Sequence, residues 1–70
     1  MPFTAEHFAR TLKVKRAERG WSQAMLSEQS NVTLNAIARY ESEANTPSFD
    51  TVCKLADAFN CSLDDFVATA

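Results

Sequence analysis

Between Ser22 and Tyr40 the chain holds two helix-forming stretches, each opened by a capping hydroxyl and separated by only a few residues. Few sequences tolerate such close punctuation. Ser22 is a good N-cap, because its hydroxyl can accept from an unpaired N–H in the first helical turn. Gln23 to Gln29 contains good helix formers and neither Gly nor Pro. Asn31 tolerates the left-handed backbone that ends a helix. Two residues later Thr33 offers a second N-cap, which predicts a helix from about Thr33 to about Ser42. Leu26, Val32 and Ile37 are the apolar points that must meet inside.

A helix, a short turn and a second helix make a helix-turn-helix, and the second helix of such a unit can enter a DNA major groove. The chain around it is small. Seventy residues, 46% hydrophobic and 10% aromatic, suffice for one core and not for two, so residues 1–70 are expected to form a single domain. One Gly and two Pro leave little material for turns, and an all-α fold follows. No run approaches the roughly 18–20 apolar residues of a membrane span, and the N-terminus has no basic-then-apolar leader. Two cysteines at apolar positions of a helical pattern fit a reducing, cytoplasmic setting.

The net charge of −2 argues mildly against a polyanionic partner, but the charge is unevenly spread. Residues 1–40 carry Arg10, Lys13, Lys15, Arg16, Arg19 and Arg39 against Glu6, Glu18 and Glu28. Beyond them Lys54 faces Glu41, Glu43, Asp50, Asp57, Asp64 and Asp65. Such a division can aim one face at a polyanion while the other stays solvated.

Read in order, residues 1–4 form a short arm ending in a cap. Thr4 starts a first helix with Glu6 near its positive end. Phe8, Leu12 and Arg16 share one stripe, with Ala9 beside it. Gly20 ends the helix, and Arg16 and Arg19 lie where they can neutralise its C-terminus. Residues 43–47 form a loop closed by Pro47, which holds Thr46 extended. Ser48 caps a fourth helix whose buried face is expected to be Phe49, Val52, Cys53, Ala56 and Phe59, with Leu55 alongside. Asn60 ends it. Ser62-Leu63-Asp64-Asp65 has the form of a capping box, leading into a short fifth helix that carries Leu63, Phe66 and Val67 inward.

Catalytic and metal chemistry finds little support. His7, Cys53 and Cys61 lack ligand spacing and read as structural. There is no Gly-rich phosphate loop, and Asp64-Asp65 reads as helix capping. The expectation is a non-enzyme with no metal, no cofactor and no evident small-molecule substrate.

Leu12, Arg16, Gly20, Ser22-Gln23, Leu26, Glu28, Val32, Ile37, Arg39, Glu41, Pro47-Ser48, Thr51, Lys54-Leu55-Ala56, Ala58, Ser62-Leu63-Asp64 and Phe66, in this order and spacing, resemble the Cro/CI-type helix-turn-helix family of phage and bacterial repressors, also called the xenobiotic-response-element family. The resemblance implies a compact five-helix, lambda-repressor-like DNA-binding domain with helices two and three as the reading unit. It implies that Gln23 touches a phosphate and braces a side chain of the recognition helix, that Thr33 touches the DNA backbone, and that Leu34, Asn35, Ala36 and Arg39 face the major groove. Ser22 and Asn45 complete the expected DNA-binding set. The family often pairs the residues matching Arg16 and Glu41 as an internal ion pair. The chain departs from the family after helix three, where Ser42-Glu43-Ala44-Asn45 stand in place of the common Gly and Lys or Arg. Asn31 replaces a common turn glycine, and Lys15 a common apolar residue, so its stem is expected to lie along the core.

The residues alone support the same roles. With Ile37 turned inward, Leu34 lies on a neighbouring face only in part, while Asn35, Ala36 and Arg39 are turned to the other side of the helix. Asn can pair with adenine and Arg with guanine, while Leu34 and Ala36 can meet a thymine methyl. Arg16, on the inward stripe, needs a partner, and Glu41 shares the inward face of helix three. The function expected is sequence-specific binding of double-stranded DNA by a small transcriptional regulator, a repressor acting as a homodimer, its copies meeting through Phe66 and Val67. The rival is a protein-interaction module on the same fold, antitoxin-like or complex-forming, with weak DNA binding.

Overall fold

The computed structural model describes residues 4–66. The expectations for residues 1–3 and for Val67 lie outside that range. Four α-helices follow one another: α1 (Ala5–Arg19), α2 (Gln23–Ser30), α3 (Leu34–Glu41) and α4 (Phe49–Phe59). A single turn of 3-10 helix over Leu63–Phe66 stands where a fifth helix was expected. It is capped by Ser62, whose hydroxyl accepts from the Asp64 N–H at 3.2 Å. The capping box is incomplete because the Asp65 carboxylate is drawn to Lys15 Nζ at 3.2 Å. Lys15 is therefore anchored on α1, its side chain only 20% exposed.

Every α-helix begins at a side-chain cap. Thr4, Ser22, Thr33 and Ser48 accept from the N–H groups of His7, Met25, Ala36 and Thr51. These bonds satisfy donors that the first helical turn leaves free. The C-termini also follow one logic. Gly20 and Asn60 adopt left-handed backbone, and the next residues, Trp21 and Cys61, donate back to the Arg16 and Ala56 carbonyls. This double closure turns the chain sharply at each end. Asn31 does the same for α2 with a single bond to the Ser27 carbonyl.

The core joins α1, α2, α4 and the 3-10 turn around Ile37 of α3. Phe8, Leu12, Leu26, Ile37, Leu55 and Phe66 are fully buried. Burying each such side chain is worth about 1.5–3 kcal/mol. Leu26, Val32 and Ile37 do meet inside. An aromatic chain crosses the core: Tyr40 meets Phe8 edge-on at 5.7 Å, Phe8 meets Phe66 at 5.4 Å, and Phe59 stacks on Trp21 at 5.5 Å. Trp21 also receives the Arg19 guanidinium over its ring at 5.3 Å, and that group donates to the Phe59 carbonyl. Arg19 thus ties α1 to the end of α4 as well as lying at its own helix end.

Expectations for three residues need correction. Phe49 is 71% exposed. It is the first residue of α4, ahead of the turn at which the Val52–Ala56–Phe59 stripe reaches the core. Cys53 is only partly buried. Phe66 is 0% exposed, so it holds the core together and offers no surface to a second copy.

Candidate nucleic-acid interface

Ile37 sets the orientation of α3. At about 100° per residue, Asn35 and Arg39 both fall about 160° from it, and Leu34 about 60°. The burial follows this geometry. Ile37 is buried, Ala36 and Ala38 are partly covered, and Asn35 and Arg39 are exposed. Leu34, at the N-terminal end, is 48% exposed. An amide and a guanidinium therefore share one uncovered side of a short helix, with an isobutyl group exposed on a neighbouring face at its N-terminal end. Those are the groups that distinguish adenine, guanine and the thymine methyl in a major groove.

The turn before α3 is held by hydroxyls. Ser27 Oγ donates to the Val32 carbonyl at 2.6 Å. Buried Ser30 donates to the Leu26 carbonyl at 2.7 Å and accepts from the Val32 N–H at 3.3 Å. The turn is thus closed from the α2 side, and Val32 is set in the core before α3 begins.

The other end of α3 is clamped by charge. Arg16 Nε donates to Glu41 Oε2 at 2.6 Å and Nη2 to Oε1 at 2.8 Å. Arg16 Nη1 donates to the Trp21 carbonyl at 2.9 Å. Gln23 Nε2 adds a bond to Glu41 Oε1 at 3.0 Å. The Glu41 residue is 5% exposed, so its carboxylate is held among groups from α1 and α2. Burial alone would push its pKa up. The hydrogen bonds from Arg16 and Gln23, with the charges of Arg16 and Lys13, outweigh burial and hold it below the usual carboxylate range. The same bond raises the Arg16 pKa against its own desolvation.

Gln23 therefore braces α3 through Glu41. Ser22 and Thr33 spend acceptor capacity on the Met25 and Ala36 N–H groups at 3.1 and 3.2 Å. A hydroxyl in that role retains its O–H as a donor, and two helix N-termini with free hydroxyl donors suit phosphate oxygens. Asn45 is exposed in the loop after α3.

The basic surface is smaller than the cation count suggested. Arg16 is spent on Glu41, Lys15 on Asp65, Arg19 on the Phe59 carbonyl, and Arg10 lies 3.5 Å from Glu6. Of the six cations in the first 40 residues, Lys13 and Arg39 alone make no ion pair or side-chain hydrogen bond among the described residues. Lys13 was not singled out from sequence. Its one sign there was its position three residues before Arg16, since its nearness to Glu41 exists only in the folded chain.

The loop after α3 holds a further surprise. Glu43 has φ +65°, the left-handed region that favours Gly or Asn. Its N–H closes on the Tyr40 carbonyl, and the Ala44 N–H on the Arg39 carbonyl. The backbone thus makes the turn usually given to glycine, and it carries a carboxylate at the negative end of α3.

This geometry defines a class, a helix-turn-helix reading unit on a four-helix scaffold. A helix-turn-helix family model matches residues 12–66, and the chain belongs to that family, the Cro/CI-type helix-turn-helix regulators. It is 30% identical over 64 residues to the HTH-type transcriptional regulator SutR of Escherichia coli K12, a match covering 91% of this chain and 36% of that protein. It is 34% identical over 53 residues to the HTH-type transcriptional regulator ImmR of Bacillus subtilis 168, covering 76% of this chain and 42% of that one. The chain thus spans less than half the length of either relative. No solved structure matches it. Among the described residues no helix is long and apolar enough to cross a membrane, and no group of three or more His, Cys, Asp or Glu gathers to hold a metal.

Proposed function

We propose that this chain is the DNA-reading part of a cytoplasmic transcriptional repressor that binds its operator as a homodimer, with α3 in the major groove. The observation that carries the reading is the placement of Asn35 and Arg39 together on the uncovered side of a helix clamped at both ends. Preorganisation of that kind lowers the ordering cost of binding. Asn35 pairs with adenine, Arg39 with guanine, and Leu34 and Ala36 contact thymine methyls. Ser22, Gln23, Thr33 and Asn45 contact phosphates around them. One such helix reads a few base pairs, so a two-fold operator with half-sites about 34–36 Å apart supplies specificity.

Few cations are free on this surface, so the reading specifies a shallow salt dependence. With Arg39 on a base, one phosphate-neutralising side chain per copy, Lys13, gives a slope of about −1 in log affinity against log salt for one half-site. The test is selection of bound duplexes from a random pool, followed by titration of the selected duplex at several salt concentrations. Enrichment of a two-fold sequence and a shallow slope are expected. A pool that never enriches, with affinity set by salt alone, overturns specific reading and favours an interaction module on the same fold.

A further inference from the structure

The exposed face of α1 has a symmetry that the DNA reading does not use. Arg10, Val14 and Glu18 follow one another at four-residue spacing and form one ridge. Val14 lies two positions from both Leu12 and Arg16, about 200° round the helix from each. It therefore points away from the core and from the clamp on α3, and it is 49% exposed. Together with Thr11, Lys15 and Asp65 the ridge lines an open groove beside the 3-10 turn.

The groove's charges complement a copy of themselves. Arg10 and Glu18 lie about 6 Å along the axis on either side of Val14. When two α1 helices meet antiparallel with Val14 on the two-fold axis, Arg10 of each copy faces Glu18 of the other. Such a contact is isologous, as a two-fold dimer requires. Little competes for these groups. Glu18 makes no ion pair among the described residues, and the Glu6–Arg10 pair is 3.5 Å long between side chains 73% and 65% exposed. An exposed pair of that sort is weak. Lys15 brings no net charge to the flank, because Asp65 neutralises it.

We propose that a second copy of this chain docks on the outward face of α1, antiparallel, with Val14 packed against Val14 and two Arg10–Glu18 pairs flanking it. The proposal rests on the homodimer part of the functional reading and moves the interface from Phe66, which is buried, to α1. One helix face is a small interface, so the dimer is weak in free solution and strengthened when two half-sites hold the copies together. Because α3 packs on the opposite side of α1, docking leaves Asn35 and Arg39 uncovered.

Sedimentation equilibrium over a range of concentrations tests this with four proteins, the wild type, Val14→Asp, Arg10→Glu, and the Arg10→Glu/Glu18→Arg double variant. All three positions are on the surface, and circular dichroism confirms that each variant is folded. The wild type dimerises reversibly. Val14→Asp and Arg10→Glu each raise the dimer Kd about tenfold or more, since each buries a charge or sets like charges together twice. The double variant restores association. A wild type that stays monomeric up to about 1 mM overturns the proposal. A dimer indifferent to all three changes also overturns it, while leaving dimerisation itself intact. Binding of Val14→Asp to a duplex with one half-site reads the DNA function separately. Unchanged binding there is expected, and a four-protein series that behaves as described without any duplex binding sustains the interface while retiring the DNA reading.

Discussion

Arg16 and Glu41 stand twenty-five residues apart in the chain and are joined by two hydrogen bonds of 2.6 and 2.8 Å. The first comes from the last turn of α1 and the second closes α3. Because Gln23 of α2 joins the same carboxylate at 3.0 Å, three helices converge on one group. The angle of α3 against the rest of the domain is thus held at its C-terminus by charge and at its N-terminus by Val32 and Ile37. Exchange of the pair for well-packed apolar residues is expected to be near neutral for stability. Glu41→Gln leaves the Arg16 charge, one-fifth exposed, without its counter-ion. It is expected to cost about 3 kcal/mol, read as a fall in the urea midpoint at unchanged slope. An unchanged midpoint would show that the pair contributes nothing.

The same carboxylate gives the domain an acid-sensitive step. Its pKa is lowered in the folded state. Its contribution to stability is therefore fully present above the unfolded glutamate value of about 4.3 and is lost as pH falls through the lower folded value. Melting temperature measured from pH 7 downward should fall across that window in the wild type. In Glu41→Gln the fall should be shallower, because the neutral amide has no proton to gain.

Glu43 offers a gain instead of a loss. A side chain at φ +65° carries a backbone cost that glycine avoids. Glu43→Gly is expected to stabilise the domain by about 1 kcal/mol in chemical denaturation, less the greater entropy of glycine in the unfolded chain. Removal of the carboxylate from the end of α3 should also strengthen duplex binding. Glu43→Lys should strengthen it further and steepen the salt slope by about one unit. Equal affinity in all three proteins would place residue 43 away from the DNA phosphates.

For base reading, Asn35→Ala and Arg39→Ala should each weaken binding to the selected operator by about 1–3 kcal/mol. Arg39→Ala should also relax preference at one base position, whereas Lys13→Ala should weaken all duplexes alike and lower the salt slope. Competition titrations against single-base variants of the operator separate these outcomes. Both asparagine and arginine variants binding like the wild type would remove α3 as the reader.

Two phenylalanines ten residues apart test the burial pattern of α4. Phe49 is 71% exposed and Phe59 is 2% exposed and stacked on Trp21. Phe49→Ser is expected to change stability by no more than about 0.5 kcal/mol. Phe59→Ala should cost about 3–5 kcal/mol, because it empties a packed aromatic site. Thermal unfolding of the two variants decides between this pattern and one in which the whole Phe49 stripe is core.

What local chemistry controls was legible in the sequence. Ser22, Thr33 and Ser48 open helices because a hydroxyl and the N–H groups one turn ahead lie within a few residues of each other, and Gly20, Asn31 and Asn60 end them by their own backbone freedom. The spacing of Leu26, Val32 and Ile37 sufficed to turn Asn35 and Arg39 outward, since helical periodicity is a property of one segment. Tertiary structure decided the rest, because it depends on which segments meet. Phe49 and Phe59 share a stripe, but only the packed neighbours show that the first turn of α4 overhangs the core. Phe66 reads as inward from its pattern, but only the packing of Phe8 and Phe59 around it shows that nothing of it is left for a second copy. The six cations of the first forty residues became a pool with two free members once Glu6, Glu41, Asp65 and the Phe59 carbonyl had claimed the others. Glu43 adopts a left-handed turn that its residue type resists, held there by the closing bonds from Glu43 and Ala44 back onto α3, contacts that no property of residue 43 alone announces.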